Sequence, residues 1–119
     1  MLSYRYNTLE CARKNATDEG YIGAKYAWEA ADTGIEETPK WGNGINPDRI
    51  WTGEEEIHIS SMVVHGILNY FKYSGDKEFL MNRGLEVILS VARFWNSRLE
   101  WNAEKQRFDI NKVIGPDEV

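Results

Sequence analysis

The chain has 119 residues, with 14 Lys and Arg against 19 Asp and Glu for a net charge of −5 and a hydrophobic fraction of 42%. That length supports one small core, and the acidic balance disfavours nucleic acid or an anionic membrane, both of which need a basic face to displace counterions. No apolar run approaches a membrane span, MLSYRYNTLE lacks the order of a signal peptide, and the single Cys11 cannot close an internal disulfide, so a cytoplasmic protein is expected.

In chain order, the first predicted element is a helix over about 3–18, with Leu9, Ala12 and Ala16 on one stripe and Gly20 in the place of a C′ glycine. A long loop, 20–53, follows and holds most of the glycines and two of the three prolines. Loops of this length in small domains are usually functional or disordered. Tyr21, Tyr26, Trp28 and Trp41 argue for order and packing.

The stretch WTGEEEIHISSMVVHGILNYFKYSG predicts a second helix over 51–75. Thr52 and Glu55 have the spacing of a capping box, and Glu54, Glu55 and Glu56 suit the positive end of the helix dipole. Ile57, Val64, Ile67, Leu68 and Phe71 fall at helical spacing, Gly75 ends the element, and Asp76 caps the next. That third helix, about 77–98, carries Leu80, Val87, Ile88, Val91, Ala92 and Trp95, and the short joint SGD makes it an antiparallel neighbour of the second. LEWNAEKQRFDINKVIG then alternates around a polar centre, as a β-hairpin does. The expected class is therefore mainly α, three helices with a long ordered loop and a short C-terminal hairpin. There is no internal repeat.

Three constellations could carry chemistry. Glu55 and His58 form an E-x-x-H pair of the kind used in di-iron bundles, but the only other histidine, His65, lacks a Glu three residues before it, and capping accounts for Glu55 better; no metal is expected. Cys11 has no neighbouring His or helix N-terminus in the sequence to activate it, which favours a structural thiol. The glycine spacing in GYIGAKYAWEAADTG fits neither a Walker loop nor a dinucleotide fingerprint. The third constellation is the aromatic–carboxylate loop YAWEAADTGIEETPKW together with VIGPDEV at 113–119. Flat aromatic rings stack on sugars, and carboxylates bind hydroxyls and transfer protons. Packing and surface polarity account for the same residue types, so by composition both readings stand.

The motifs YRYNTLECARKNATDEGYIGAKYAWEAADTGIEETPKW, IWTGEEEIHIS, ARFWNSR and VIGPDE, in this order, resemble the catalytic domain of the family 65 glycoside phosphorylases, the maltose, trehalose, kojibiose and nigerose enzymes. The resemblance covers essentially the whole chain. It implies a fragment of an (α/α)₆ barrel, with 1–119 a single partial domain. It also implies an inverting enzyme that cleaves an α-linked glucose disaccharide with inorganic phosphate to β-glucose 1-phosphate and glucose. By the resemblance, Glu118 of G-P-D-E is the general acid, Trp28 and Glu29 line the sugar cleft, and Thr52 faces it, although capping is the stronger reading for Thr52. The segment about 34–42, with Gly34, Glu36, Glu37 and Trp41, shapes the acceptor subsite; Asp117 is assigned no proton transfer. No cofactor is implied beyond phosphate as co-substrate. The family's donor-sugar and phosphate-binding motifs are not among these 119 residues, so the chain alone is expected to be inactive and to self-associate or dock with a complementary fragment. The alternative is a non-catalytic helical assembly module or sugar-binding fragment.

Overall fold

Thr8 divides what periodicity makes one helix. The computed structural model describes residues 1–42 and 48–116; it has α1 over Leu2–Asn7 and α2 over Leu9–Asp18. Thr8 Oγ1 donates to Tyr4 O at 2.9 Å, a back-bond that bends helices. Helical hydrogen bonds continue on both sides, Thr8 N to Tyr4 O and Ala12 N to Thr8 O, so the register is kept across the interruption. Leu9, Ala12 and Ala16 are buried as the stripe predicts, and Gly20 takes φ +84° just past the end of α2.

Beyond Gly20 the chain enters the core. Ala24, Lys25, Tyr26 and Ala27 are all buried, and the first three of them bond to four different helices. Lys25 N donates to Ala12 O and Ala24 N to Ser90 O, each at 2.9 Å. Tyr26 N donates to Ser60 Oγ at 2.9 Å and its hydroxyl to Arg5 O at 2.6 Å; burial pushes that hydroxyl well above the usual tyrosine range. Of the loop's other aromatics, Tyr21 and Trp28 are half-buried. Trp41 is 63% exposed, paired with Arg49 in an isolated antiparallel bridge. The Arg49 guanidinium lies 5.4 Å from the Trp41 ring and 4.6 Å from the Trp51 ring.

The helix expected over 51–75 is two helices, α3 (Thr52–Glu55) and α4 (Ile59–Ser74), and the capping box does not form. Trp51 occupies the N-cap position, and its carbonyl accepts from Glu54 N and Glu55 N at 2.9 and 2.8 Å; Thr52 lies inside the first turn. Nor does Glu56 serve the helix dipole. It leaves the helix at ψ 70° and is fully buried, with Ile57 beside it. Turning both side chains inward breaks the helix over 56–58. In α4 the buried stripe is Val63 and Ile67, while Leu68 is 48% exposed, so the face is rotated by about one position from the expected one.

Gly75 closes α4 in the left-handed conformation, its N–H on Phe71 O at 2.8 Å. Asp76 caps the next element by accepting from Phe79 N at 2.9 Å. The third helical segment is α5 (Lys77–Phe79), a π-helical stretch (Leu80–Gly84) and α6 (Leu85–Ser97). The π stretch sets Gly84 against Ile67, where a Cβ would come within 2.9 Å of Ile67 Cγ2. With Tyr70 on Phe79 at 5.2 Å, this contact makes α4 and α6 antiparallel. The core is Leu9, Ala12, Ala24, Tyr26, Val63, Ile67, Val87 and Val91, with Ala16, Ile57 and Phe94 in a second cluster. Strands β1 (Glu100–Asn102) and β2 (Arg107–Asp109) form the expected hairpin with Trp101 opposite Phe108. The buried Arg98 donates to Tyr21 Oη at 2.7 Å and to Asn111 O at 2.6 Å, fastening the hairpin's exit to the loop. Among the described residues no helix is long and apolar enough to cross a membrane.

Gly20 and Gly23 separate two costs. Both have positive φ, but nothing lies within 4 Å of a Cβ at Gly20, whereas one at Gly23 would meet Ser90 O at 2.3 Å and Phe94 N at 2.4 Å. Gly20→Ala should cost about 1–2 kcal/mol from backbone strain; Gly23→Ala should cost about 3 kcal/mol or more, since the loop must also leave α6. Urea unfolding of the two variants compares them.

Two hydrogen bonds, from Phe79 N first and the Tyr70 hydroxyl second, hold the Asp76 carboxyl below the usual range. A depressed carboxyl stabilises fully above its unfolded value of about 3.9 and loses that contribution as pH falls through the lower folded value. Acid unfolding of Asp76→Asn should therefore show a shallower loss of stability below about pH 4 than the parent chain.

Candidate functional site

The residues singled out by the loop pattern come together because the chain passes from core to surface in two steps. Ala27 is buried, Trp28 half-buried and Glu29 exposed. The Trp28 ring packs on the His58 ring, centroids 5.2 Å apart and planes at 58°, and His58 Nε2 lies 3.9 Å from the carboxylate of the buried Glu56.

Behind this pair stands Glu36. Its Oε2 accepts from Trp28 N at 2.7 Å, and its Oε1 from Glu29 N at 3.1 Å, Thr38 N at 3.2 Å and Thr38 Oγ1 at 2.6 Å. Glu37 N closes the loop on Glu29 O at 2.9 Å, and the Glu37 side chain is exposed. Gly34 is buried at φ +80°, where a Cβ would sit 2.8 Å from Thr8 Cβ; its carbonyl accepts from Asn15 Nδ2 at 3.4 Å. The Tyr4 hydroxyl donates to Ala31 O. Thr52 is half-buried and opens α3, with its carbonyl accepting from Glu56 N at 2.9 Å. Its neighbour Gly53 backs onto the loop, where a Cβ would lie 2.9 Å from Thr38 Cβ and 3.3 Å from Glu36 Cδ. Trp28, Glu29, Gly34, Glu36 and Glu37 thus share one closed loop seated on α3, while Trp41 sits apart in its bridge with Arg49.

Glu118, expected to be the acid, and Asp117 lie outside the described residues. The segment leading to them returns to α3, where Ile114 N donates to Glu55 O at 3.0 Å.

Sequence reasoning gave no role to Lys25, whose side chain is 2% exposed and whose ammonium meets Glu19 at 2.5 Å, Gly53 O at 2.9 Å and Glu54 O at 3.2 Å. Burial raises the Glu19 carboxyl above its ordinary range, and the bond from Lys25 pulls it the other way. Lys25, Glu36, Thr38, Lys40, Gly53 and Glu54 are among the residues lining a cavity of about 310 Å³. No local pattern around Lys25 signals any of this; a lysine between Ala24 and Tyr26 reads as surface.

Glu55 and His58 do not pair on one helical face, because the chain leaves the helix between them. Among the described residues, no three His, Cys, Asp or Glu side chains gather to hold a metal. His65 faces Asn69, 2.8 Å away. Burial pushes the Cys11 thiol up, only partly opposed by Lys14; a raised thiol carries less of the nucleophilic thiolate, in keeping with a structural role.

A family model described as the glycosyl hydrolase family 65 central catalytic domain matches residues 1–119. Kojibiose phosphorylase of Caldanaerobacter subterraneus subsp. tengcongensis is 54% identical over 120 residues, covering 99% of this chain and 16% of that protein. A more distant relative, a kojibiose hydrolase of Flavobacterium johnsoniae, is 40% identical over 118 residues, with the same 99% and 16% coverage. A solved structure from the human microbiome, described provisionally as a kojibiose phosphorylase, superposes with a TM-score of 0.81 at 30% identity, covering 98% of this chain and 16% of that one. The chain therefore spans about one-sixth of the length of the relatives it matches.

Proposed function

The chain belongs to glycosyl hydrolase family 65, and we propose that it is a portion of the catalytic (α/α)₆ barrel of an inverting disaccharide phosphorylase. The observation that carries this reading is the pair Trp28–Glu29: a half-exposed indole and an exposed carboxylate on adjacent residues, held from beneath by Glu36. An aromatic face beside a carboxylate suits a sugar ring, one stacking on its C–H face and the other taking its hydroxyls. The 54% identity to a kojibiose phosphorylase supports an α-linked glucose disaccharide as the substrate class.

In this reading Glu118 protonates the glycosidic oxygen as the C1–O bond breaks, and a phosphate oxygen bonds C1 from the opposite face. An α-linkage thereby becomes β-glucose 1-phosphate, and glucose leaves with the proton. One carboxyl group suffices because phosphate is already anionic at neutral pH, whereas water attacking in a hydrolase needs a second carboxylate as base. Trp28, Glu29 and Thr52 are assigned to the sugar, and the loop with Gly34, Glu36, Glu37 and Trp41 to the acceptor side. The 119 residues by themselves are assigned no turnover.

In a complete enzyme carrying this segment, Glu118→Gln should lower phosphorolysis by about 10²–10⁴-fold with unchanged circular dichroism; near-normal turnover would remove Glu118 from the role. The hydrolase relative makes phosphate dependence the deciding assay. A phosphorylase releases glucose from kojibiose only when phosphate is present, with β-glucose 1-phosphate in equal amount; release without phosphate would make the enzyme a hydrolase.

A second reading, an assembly module, is favoured by an apolar hollow of about 200 Å³ between α4 and α6 lined by Ser61, Val64, Ile88, Val91, Ala92 and Trp95. The Trp95 indole N–H there is buried without an acceptor. A covering segment would take the apolar area of the hollow out of water. The 119-residue chain alone should associate, and light scattering from 1 to about 100 μM should show mass rising with concentration; a constant monomer mass would argue against it.

A further inference from the structure

We propose that Glu36 is a positioning residue, which fixes the place of the Trp28–Glu29 pair by binding its two backbone amides and the neck of the 34–42 loop on one carboxylate. The proposal rests on the reading of Trp28 and Glu29 as sugar-binding.

The geometry is specific to this side chain. The consecutive N–H groups of Trp28 and Glu29 converge on its two oxygens, at 2.7 and 3.1 Å, a bidentate grip that sets the orientation of both peptide planes. Thr38 supplies two more donors, its N–H at 3.2 Å and its hydroxyl at 2.6 Å, both to Oε1. Three of the four donors converge on Oε1 and one on Oε2, so Oε1 is saturated by its own loop and the carboxylate's geometry is set there. Amide bonds to a charged acceptor are roughly twice as strong as neutral ones.

Beneath the carboxylate, the missing side chain of Gly53 makes room for it, since a Cβ there would come within 3.3 Å of Glu36 Cδ. Glutamine cannot substitute cleanly, because its amide offers one oxygen and turns an NH₂ toward N–H donors. Aspartate is one methylene too short to span from Thr38 to Trp28. A shift in the 34–42 loop is thereby transmitted to Trp28 and Glu29, even by residues that never touch the sugar.

The test uses the complete enzyme carrying this segment, with kojibiose and inorganic phosphate as substrates, assayed well below its unfolding temperature. Glu36→Gln should raise the disaccharide KM and lower kcat/KM for the disaccharide by about 10–100-fold, with the phosphate KM unchanged, because only the sugar pair moves. Thr38→Val, which removes one donor, should shift the same constants about 3–10-fold, and Thr38→Ser, which restores the hydroxyl, should return them to the parent values. If Glu36→Gln does not fold, the Thr38 pair carries the test alone.

Parent-like disaccharide constants in Glu36→Gln, or an equal rise in both KM values, overturns the proposal. So does a Thr38→Ser no better than Thr38→Val. Trp28→Ala and Glu29→Gln serve as the reference. If these are impaired while Glu36→Gln is not, only the positioning role falls; if they too turn over kojibiose normally, the sugar-binding reading falls, and the proposal with it.

Discussion

A buried ammonium organises the molecule. Lys25 has three protons to donate, and the Glu19 carboxylate and the carbonyls of Gly53 and Glu54 receive them. Taking a lysine out of water is costly unless every proton is met and the charge is balanced. Here both conditions hold, and the partners come from the end of α2 and from α3. The interaction therefore fixes where a loop of low intrinsic structure enters the core. With Lys25 seated, Gly23 and Ala24 lie against α6, and Tyr26 is placed between Arg5 O and Ser60 Oγ. Trp28 has to emerge two residues later. Substituting Lys25 by an apolar residue would strand the Glu19 carboxylate, which burial already holds above its ordinary range.

The same interaction accounts for the interrupted second helix. Lys25 takes carbonyls of Gly53 and Glu54 that a longer helix would have used for its own ladder. Glu56 and Ile57 then turn inward, and α4 starts afresh at Ile59. That restart presents the His58 ring to Trp28. The break in helicity and the seating of the candidate site's aromatic residue thus have one cause.

What the sequence disclosed follows from range. Gly20, Gly75 and the Asp76 cap are local chemistry: each is decided by residues within one turn, and each is where the pattern put it. The hairpin is equally local, with Trp101 opposite Phe108. The break at 56–58 and the π stretch at Leu80–Gly84 depend on partners far along the chain, such as Ile67 for Gly84, and no periodicity reports them. The failure of the Thr52 capping box has the same origin, since Trp51 is drawn into the cap position where it shares Arg49 with Trp41. At the site, residue types and a family resemblance picked out Trp28, Glu29 and Glu36 but gave no direction for Glu36. Whether a carboxylate faces a ligand or its own backbone is a torsional fact, and it appears only when Trp28 N and Glu29 N are seen aimed at it.

A loop whose neighbours are glycines would sample many shapes if left to itself, yet a sugar site needs its groups held to a fraction of an ångström. This chain resolves the conflict by fastening the loop to separate elements. Tyr4 of α1 bonds Ala31 O, and Asn15 of α2 bonds Gly34 O, with Thr8 filling the space that a side chain at Gly34 would need. Gly53 of α3 leaves the space that Glu36 occupies, and Ser60 of α4 holds Tyr26 N. Removing any one anchor leaves the others to resist, so small errors at one helix are averaged before they reach Trp28. Glu36 is different in kind, because it joins the two limbs of the loop to each other, accepting from Trp28 N and Glu29 N on one side and from Thr38 on the other. Redundancy protects the loop's place on the scaffold, and one carboxylate sets its internal shape.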